Sequence, residues 1–207
     1  MTTKTPPKPQ SKIYDRAYFD RWYRDQETRV NEPEEIRRKV TMAVSTAEYF
    51  LHREIRTVLD IGCGEGAWRS HLKALRNRVS YLGYDSSDYV VERFGKTRNI
   101  RKASFGDLPK LRLGDYDLVV CADVMHYVPD DELRRGIRAI AKATDGMAYL
   151  EVLTKEDEIV GDLNAFFRRP AAVYRKMFAA EGLTFVGPYS WLGPSFQDAV
   201  AELETGR

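Results

Sequence analysis

The chain has 207 residues, with 33 Lys and Arg against 31 Asp and Glu and a formal net charge of +2. Hydrophobic residues at 43% and charged residues at 31% describe a soluble globular chain able to bury a good-sized core, and so small a charge excess makes a nucleic-acid partner unexpected. No apolar run is long enough to span a bilayer and the first residues lack the apolar core of a signal peptide, so a cytoplasmic protein with no membrane partner is expected.

Residues 1–12 carry Pro6, Pro7 and Pro9 with Lys4, Lys8 and Lys12 and no acid, the composition of a disordered tail. Tyr14, Tyr18, Phe19, Trp22 and Tyr23 then crowd a short helical stretch. Pro33 suits the first position of the next helix, in which Ile36, Val40, Val44, Ala47 and Leu51 share one face. These segments read as a helical cap over 13–53 on one domain that runs from 13 to 207.

Val58-Leu59-Asp60-Ile61 is an apolar strand ending near an acid, and Gly62, Gly64 and Gly66 follow at alternate positions before a helix carrying Trp68, Leu72 and Leu75. Glycine lets a ligand press against bare backbone and tolerates positive φ, and the helix that follows directs its first amides at whatever is bound. Gly62, Gly64 and Ala67 also fit the dinucleotide pattern G-x-G-x-x-G/A, so the glycines alone leave both ligand classes open.

Ser80 to Asp85 is a second apolar run ending in an acid, 19 residues after Gly66. An acid at that distance can accept hydrogen bonds from ribose hydroxyls, whichever nucleotide is bound. A helix follows Ser87 through Val90, Val91 and Phe94 and is closed by Gly95; a third strand spans Ile100 to Phe105, with Gly106 and Asp107 after it. The ten residues to Asp117 leave little room for a crossover helix. The fourth run is Tyr116 to Val128, and Pro129 with Asp130, Asp131 and Glu132 then starts a helix that turns Leu133, Ile137 and Ile140 inward.

Met147 to Leu153 reads as a fifth strand. Pro170 opens a last helix with Val173, Met177 and Phe178, stopped by Gly182. Leu183 to Val186 and Ala199 to Leu203 read as strands six and seven, and with no helix between them they should form an antiparallel hairpin. Alternating strands and helices specify a doubly wound α/β sheet with helices on both faces. Cys63 and Cys121 read as reduced core residues.

Asp60, Gly62, Gly64 and Gly66 resemble motif I of the class I S-adenosylmethionine-dependent methyltransferases: an acid, then three glycines at alternate positions. Tyr116-Asp117-Leu118-Val119 and the run after it resemble motif IV of that family, and the likeness covers residues 56–152. Asp60 favours this family over the dinucleotide enzymes, because a carboxylate there repels pyrophosphate and attracts the ammonium and sulfonium of S-adenosylmethionine. The resemblance implies a Rossmann-like, mostly parallel seven-stranded sheet of order 3-2-1-4-5-7-6 with strand 7 antiparallel. It implies a cofactor set of Asp60, Gly62, Cys63, Gly64, Gly66, Asp85, Ser86, Gly106, Asp107 and Ala122, with Asp85 on the ribose and Asp107 on the adenine amine between Phe105 and Leu108.

Catalysis in such an enzyme is chiefly positioning, with a base needed when the nucleophile carries a proton. His126, after the fourth strand, is the candidate base because its ordinary pKa lies near neutrality, and Asp123 could orient it or line the pocket. His52 and His71 fall in helices away from the strand tips. The fourth strand lacks the Asn-Pro-Pro-aromatic signature of exocyclic-amine methylation and the Pro-Cys nucleophile of cytosine-C5 chemistry, and no cluster has metal-ligand spacing. Methyl transfer to oxygen or nitrogen of a small molecule is therefore expected. The alternatives are an RNA or protein acceptor, a dinucleotide-dependent oxidoreductase, and cofactor binding without catalysis. Acceptor recognition should lie in the variable segments: the N-terminal aromatics as a lid, the loop from Thr154 to Arg169, where Arg168 and Arg169 could clamp an anion, and the tail around Tyr189 and Trp191.

Overall fold

The computed structural model describes residues 12–30, 32–158, 162–196 and 198–206. The expected tail at 1–12 lies outside these except for Lys12, which is packed: its side chain is 9% exposed and pairs with Asp162.

Seven strands form one sheet of order β3-β2-β1-β4-β5-β7-β6. They are β1 (Thr57–Ile61), β2 (Ser80–Asp85), β3 (Ile100–Lys102), β4 (Tyr116–Ala122), β5 (Thr144–Glu151), β6 (Thr184–Gly187) and β7 (Ser190–Leu192). Strands β1 to β5 pair in parallel, and β7 lies antiparallel to both β5 and β6. This is the order, with its reversed seventh strand, that the family resemblance implies.

Period-two alternation assigns the two faces of the sheet. Val119 and Cys121 of β4 join Leu59, Ile61, Ala148 and Leu150 under Leu133, Ile137 and Ile140 of α5 (Asp130–Ala143) and Tyr174 and Phe178 of α6 (Ala171–Ala180). On the other face Val58, Leu118, Val120, Met147 and Tyr149 pack beneath α2 (Pro33–Leu51) and α3 (Ala67–Leu75). Pro33 opens α2 as expected, and Val40, Val44 and Ala47 are buried. Of the expected 13–53 cap, α2 thus belongs to a core layer. Only the aromatic stretch, α1 (Arg16–Phe19) with a π-helical turn at Asp20–Arg24, covers the glycine loop.

Several element boundaries fall elsewhere than the sequence suggests. Helix α4 (Asp88–Arg98) runs past Gly95 and is capped by Asn99 in the left-handed region, at φ 54°. Gly95 instead admits the backbone of β3, since a Cβ there would sit 3.1 Å from the Ile100 carbonyl oxygen. The third strand stops at Lys102, and Phe105 begins a 3-10 turn, Phe105–Lys110. The seventh strand is at Ser190–Leu192, not Ala199–Leu203. A two-residue turn bends β6 straight back, Trp191 packs against Phe178 with ring centroids 4.9 Å apart, and Leu203 is fully exposed. Leu75 and Val173, expected inside, are about one-third exposed, while Tyr174 takes the buried place on α6.

The sheet changes winding direction between β1 and β4. The register sets Asp60 beside Val120, Ile61 beside Tyr84, and Ala122 beside Glu151. The carboxyl ends of β1, β2, β4 and β5 therefore finish at one edge, where open α/β sheets bind ligands.

Candidate active site

Gly62 and Gly64 turn the chain at the end of β1 with φ of 68° and 52°. The amides of Gly62 and Cys63 both donate to the Tyr84 carbonyl, at 2.8 and 3.1 Å. The Gly64 amide donates to Asp85 Oδ2 at 2.8 Å, and the Ser87 amide to Asp85 Oδ1 at 2.9 Å. Strand β2 thus holds the loop from behind, and the glycine Cα atoms face outward. A Cβ on Gly64 would lie 2.6 Å from the Tyr23 hydroxyl, and one on Gly62 would lie 2.3 Å from Val124 Cγ2. The aromatic segment is fastened over this cradle by Arg24 to Glu65 and by the Ser87 hydroxyl, which donates to the Tyr14 carbonyl at 2.5 Å.

Two adjoining chambers open at the cradle, about 410 and 330 Å³. Trp22, Tyr23, Lys39, Gly62, Asp123 and Glu151 line both. Gly64, Asp85, Ser86 and Phe105 line the larger, and Asp60, Cys63 and Trp68 the smaller. Burial pushes the Asp60 carboxyl up to about 7 against the Tyr81 hydroxyl, which donates to it at 2.8 Å, and the Asp85 charge adds to the rise. Cys63 and Cys121 are free thiols, and burial raises both above the usual thiol range.

Of the expected cofactor residues, Asp60, Gly62, Cys63, Gly64, Asp85, Ser86 and Ala122 line the two chambers, and Gly66, Gly106 and Asp107 do not. Asp107 turns its carboxylate to the Ser104 amide and hydroxyl, at 3.1 and 2.6 Å, and caps the 3-10 turn. These bonds hold its pKa below the usual carboxylate range. Neither it nor Gly106 lines a chamber; a Cβ on Gly106 would meet the Glu132 carboxylate, which does line the larger one.

The described residues contain no helix long and apolar enough to cross a membrane, and no group of His, Cys, Asp and Glu among them is arranged to hold a metal ion. No curated protein matches the chain in sequence. The methyltransferase domain family model matches residues 29–184. The chain belongs to this methyltransferase family. Together with the sheet order, the glycine loop and the acid before it, this makes the protein a class I S-adenosylmethionine-dependent methyltransferase.

Solved structures share the methyltransferase's fold at low identity. A sugar N-methyltransferase from Streptoalloteichus sp. ATCC 53650 superposes with a TM-score of 0.60 at 18% identity, over 93% of this chain and 97% of that one. Magnesium protoporphyrin IX methyltransferase from Synechocystis PCC 6803, solved with bound S-adenosylmethionine, gives 0.57 at 21% identity, over 86% and 90%. An O-methyltransferase family protein from Burkholderia thailandensis gives 0.53 at 17% identity, and the match spans 77% of this chain but only 57% of that longer one.

The methyltransferase's two expected catalytic groups sit very differently. Asp123 stands at the tip of β4 with φ 62° and lines both chambers. Burial, and the charge of Glu151, push its carboxyl up to about 6 against the pull of Lys39 and Lys12. His126 is 0% exposed and lines neither chamber. Its ring stacks on Phe166 with centroids 4.6 Å apart, and its Nδ1 accepts from the Leu153 amide at 3.3 Å. That bond places the proton of the neutral ring on Nε2, 3.3 Å from Asp123 Oδ1. Burial, with the charges of Lys12 and Arg169, lowers the ring's pKa to about 3. With one nitrogen holding a backbone amide and the other carrying hydrogen, the imidazole has no free lone pair with which to take a proton. Truncation to His126→Ala should therefore act as a core deletion, costing about 3 kcal/mol and lowering Tm by roughly 6–12 °C in a thermal melt. An unchanged Tm with turnover lost would restore His126 as the base.

The Arg169 clamp is not present either. Its guanidinium is buried, pairing with Asp130 Oδ1 at 2.6 Å and donating to the Val128 carbonyl at 2.6 Å, so it ties the loop after β5 to the start of α5. Arg168 is exposed. Sequence reasoning missed Lys39 and Glu151, which pair at 2.7 Å and line both chambers. A usable signal was present: Glu151 follows an apolar strand as Asp60 and Asp85 do, and Lys39 lies four residues after Glu35 on α2.

Proposed function

We propose that the protein transfers the methyl group of S-adenosylmethionine to an oxygen or nitrogen of a small-molecule acceptor. The observation that carries this reading is the cradle of Gly62 and Gly64, backed by Asp85 and opening on a chamber that Asp123 also lines. The residues fit the cofactor: the Gly64 position has no room for a Cβ beneath Tyr23, and Asp85, while holding two amides, keeps lone pairs for ribose hydroxyls. Asp60, Gly62, Cys63, Gly64, Gly66, Asp85, Ser86 and Ala122 form the binding set in this reading, and Asp107, whose carboxylate is engaged in its cap, is left out. The bound cofactor supplies an electrophilic methyl on sulfonium. Asp60 and Asp123 place negative charge around the positive cofactor, and Trp22 and Tyr23 exclude water, which strengthens those interactions. Asp123 accepts a proton from the acceptor where the nucleophile carries one.

Isothermal titration of the full chain with S-adenosylhomocysteine and with NAD tests the reading. Binding of S-adenosylhomocysteine alone is expected, and binding of NAD alone would overturn it. Replacing Asp85 with Asn removes the charge and one of the two accepting oxygens, so either the Gly64 or the Ser87 amide then faces an NH2 group that cannot accept. Charge-assisted bonds exceed neutral ones by roughly 1 kcal/mol or more, so Asp85→Asn should weaken S-adenosylhomocysteine by about tenfold or more, and the amide left without an acceptor should lower Tm by a few degrees. Unchanged affinity would move the ribose elsewhere.

A further inference from the structure

A cation supplied by the chain itself lies against residues that line the larger chamber. Lys12 sets Nζ 3.5 Å from the centroid of the Tyr127 ring, with the Tyr18 and Tyr14 rings at 5.4 and 5.6 Å. Asp162 Oδ2 lies 2.8 Å from the same nitrogen. The Tyr127 hydroxyl donates to the Asp162 carbonyl at 2.8 Å, and Tyr14 meets Tyr18 edge to face at 5.0 Å. Three aromatic faces and a carboxylate around one ammonium form a cation cage. A lysine side chain 9% exposed would be costly to desolvate without such surroundings. Tyr14, Tyr18, Tyr127 and Asp162 line the chamber, so the cage is a wall of the cavity.

The rest of the lining has the same preference. Asp123, Glu151 and Glu158 join Asp162 there. Among the described residues, the cation lining the chamber is Lys39, and it is paired with Glu35 and Glu151. An anionic acceptor would meet repulsion from several carboxylates at low dielectric, whereas a cation would be drawn in.

We infer that the acceptor is a small primary or secondary amine, received as its ammonium in the cage of Tyr14, Tyr18, Tyr127 and Asp162, and that Lys12 occupies this subsite as a competing internal cation. The inference rests on the methyl-transfer reading above and narrows its acceptor. The step balances as follows. The ammonium gives one proton to the Asp123 carboxylate. The freed nitrogen lone pair forms a bond to the methyl carbon while the carbon–sulfur bond breaks, and its electron pair returns to sulfur. The products are the N-methylated ammonium, which carries the charge the sulfonium lost, and S-adenosylhomocysteine; the protonated Asp123 then releases its proton to water.

Three probes of matched size separate the chemistry: phenethylamine, phenethyl alcohol and 3-phenylpropanoate, titrated calorimetrically into the full chain saturated with S-adenosylhomocysteine. The amine should bind at least tenfold more tightly than the alcohol, and the carboxylate should show no heat. In Lys12→Ala, amine affinity should rise about tenfold as the internal competitor is removed, and adding Asp162→Asn should reverse most of that gain. Thermal melts accompany each variant, and S-adenosylhomocysteine binding reports separately on the cofactor site. Loss of that binding in the wild type would count against the methyl-transfer reading itself. With S-adenosylhomocysteine bound, three results each overturn the amine assignment: an alcohol or carboxylate that binds as well as the amine, an amine that binds neither wild type nor Lys12→Ala, or a Lys12→Ala protein whose preferences match the wild type.

Discussion

Gly64→Val is expected to abolish cofactor binding, with S-adenosylhomocysteine affinity falling more than 10²-fold, a loss of about 3 kcal/mol. Two effects act at once. The backbone at Gly64 has φ 52°, a region where a β-branched residue is strongly disfavoured. The new Cβ would also stand 2.6 Å from the Tyr23 hydroxyl, so either the cap lifts or the tyrosine swings into the chamber. Both movements remove volume or closure from the cofactor's place. Gly64→Ala separates the terms, because it keeps the Cβ clash and lessens the backbone strain; its affinity should fall by roughly tenfold. Circular dichroism and a thermal melt show whether each variant keeps its fold, and calorimetry reads the affinity. A folded Gly64→Val protein that binds S-adenosylhomocysteine normally would mean that the loop does not cradle it.

The fold was readable from the chain because its signals are local and repeated. The run Leu118 to Cys121 alternates between two core faces, and Pro33, Asp130, Asp131 and Glu132 mark helix starts where helices begin. The misplaced seventh strand shows where such signals fail. Ser190-Trp191-Leu192 is too short to stand out, and its strand character comes from pairing with Met147 to Tyr149 of β5, a contact far away in sequence. The acids at strand tips were readable at Asp60 and Asp85 because each closes an apolar run. Asp107 imitated them, but Ser104 three residues earlier makes it a cap, and that pattern was also in the sequence. Lys12 carried the opposite signal. Its prolines and lysines belong to a tail by composition, and its nearest partners, Tyr127 and Asp162, lie more than a hundred residues on. His126 reads as a base from its ordinary pKa, and its burial, which lowers that pKa to about 3, cannot be seen in the sequence.

Asp123→Asn should cut turnover by roughly 10²- to 10⁴-fold, the usual size of a general-base contribution, once an acceptor is in hand. Asparagine is the informative replacement because it tolerates the left-handed backbone that Asp123 adopts at φ 62°. It keeps the side chain's shape and removes the charge together with the ability to take a proton. Stability gives an independent check. Burial raises the Asp123 carboxyl to about 6 in the folded chain, above the value of about 3.9 in an unfolded one. Between those values the folded state binds the extra proton, so ionised Asp123 opposes folding at neutral pH. Asp123→Asn should therefore melt no lower than the wild type at pH 8. The wild-type rate should fall as pH drops through about 6, where the carboxylate becomes protonated and can no longer accept, and the variant's residual rate should lack that limb. S-adenosylhomocysteine affinity should change less than about threefold, because Asp85 and the glycine loop, rather than Asp123, carry most of the contact. Near-normal turnover in Asp123→Asn with an unaltered pH profile would remove the carboxylate from the proton path and leave proximity as the main source of rate.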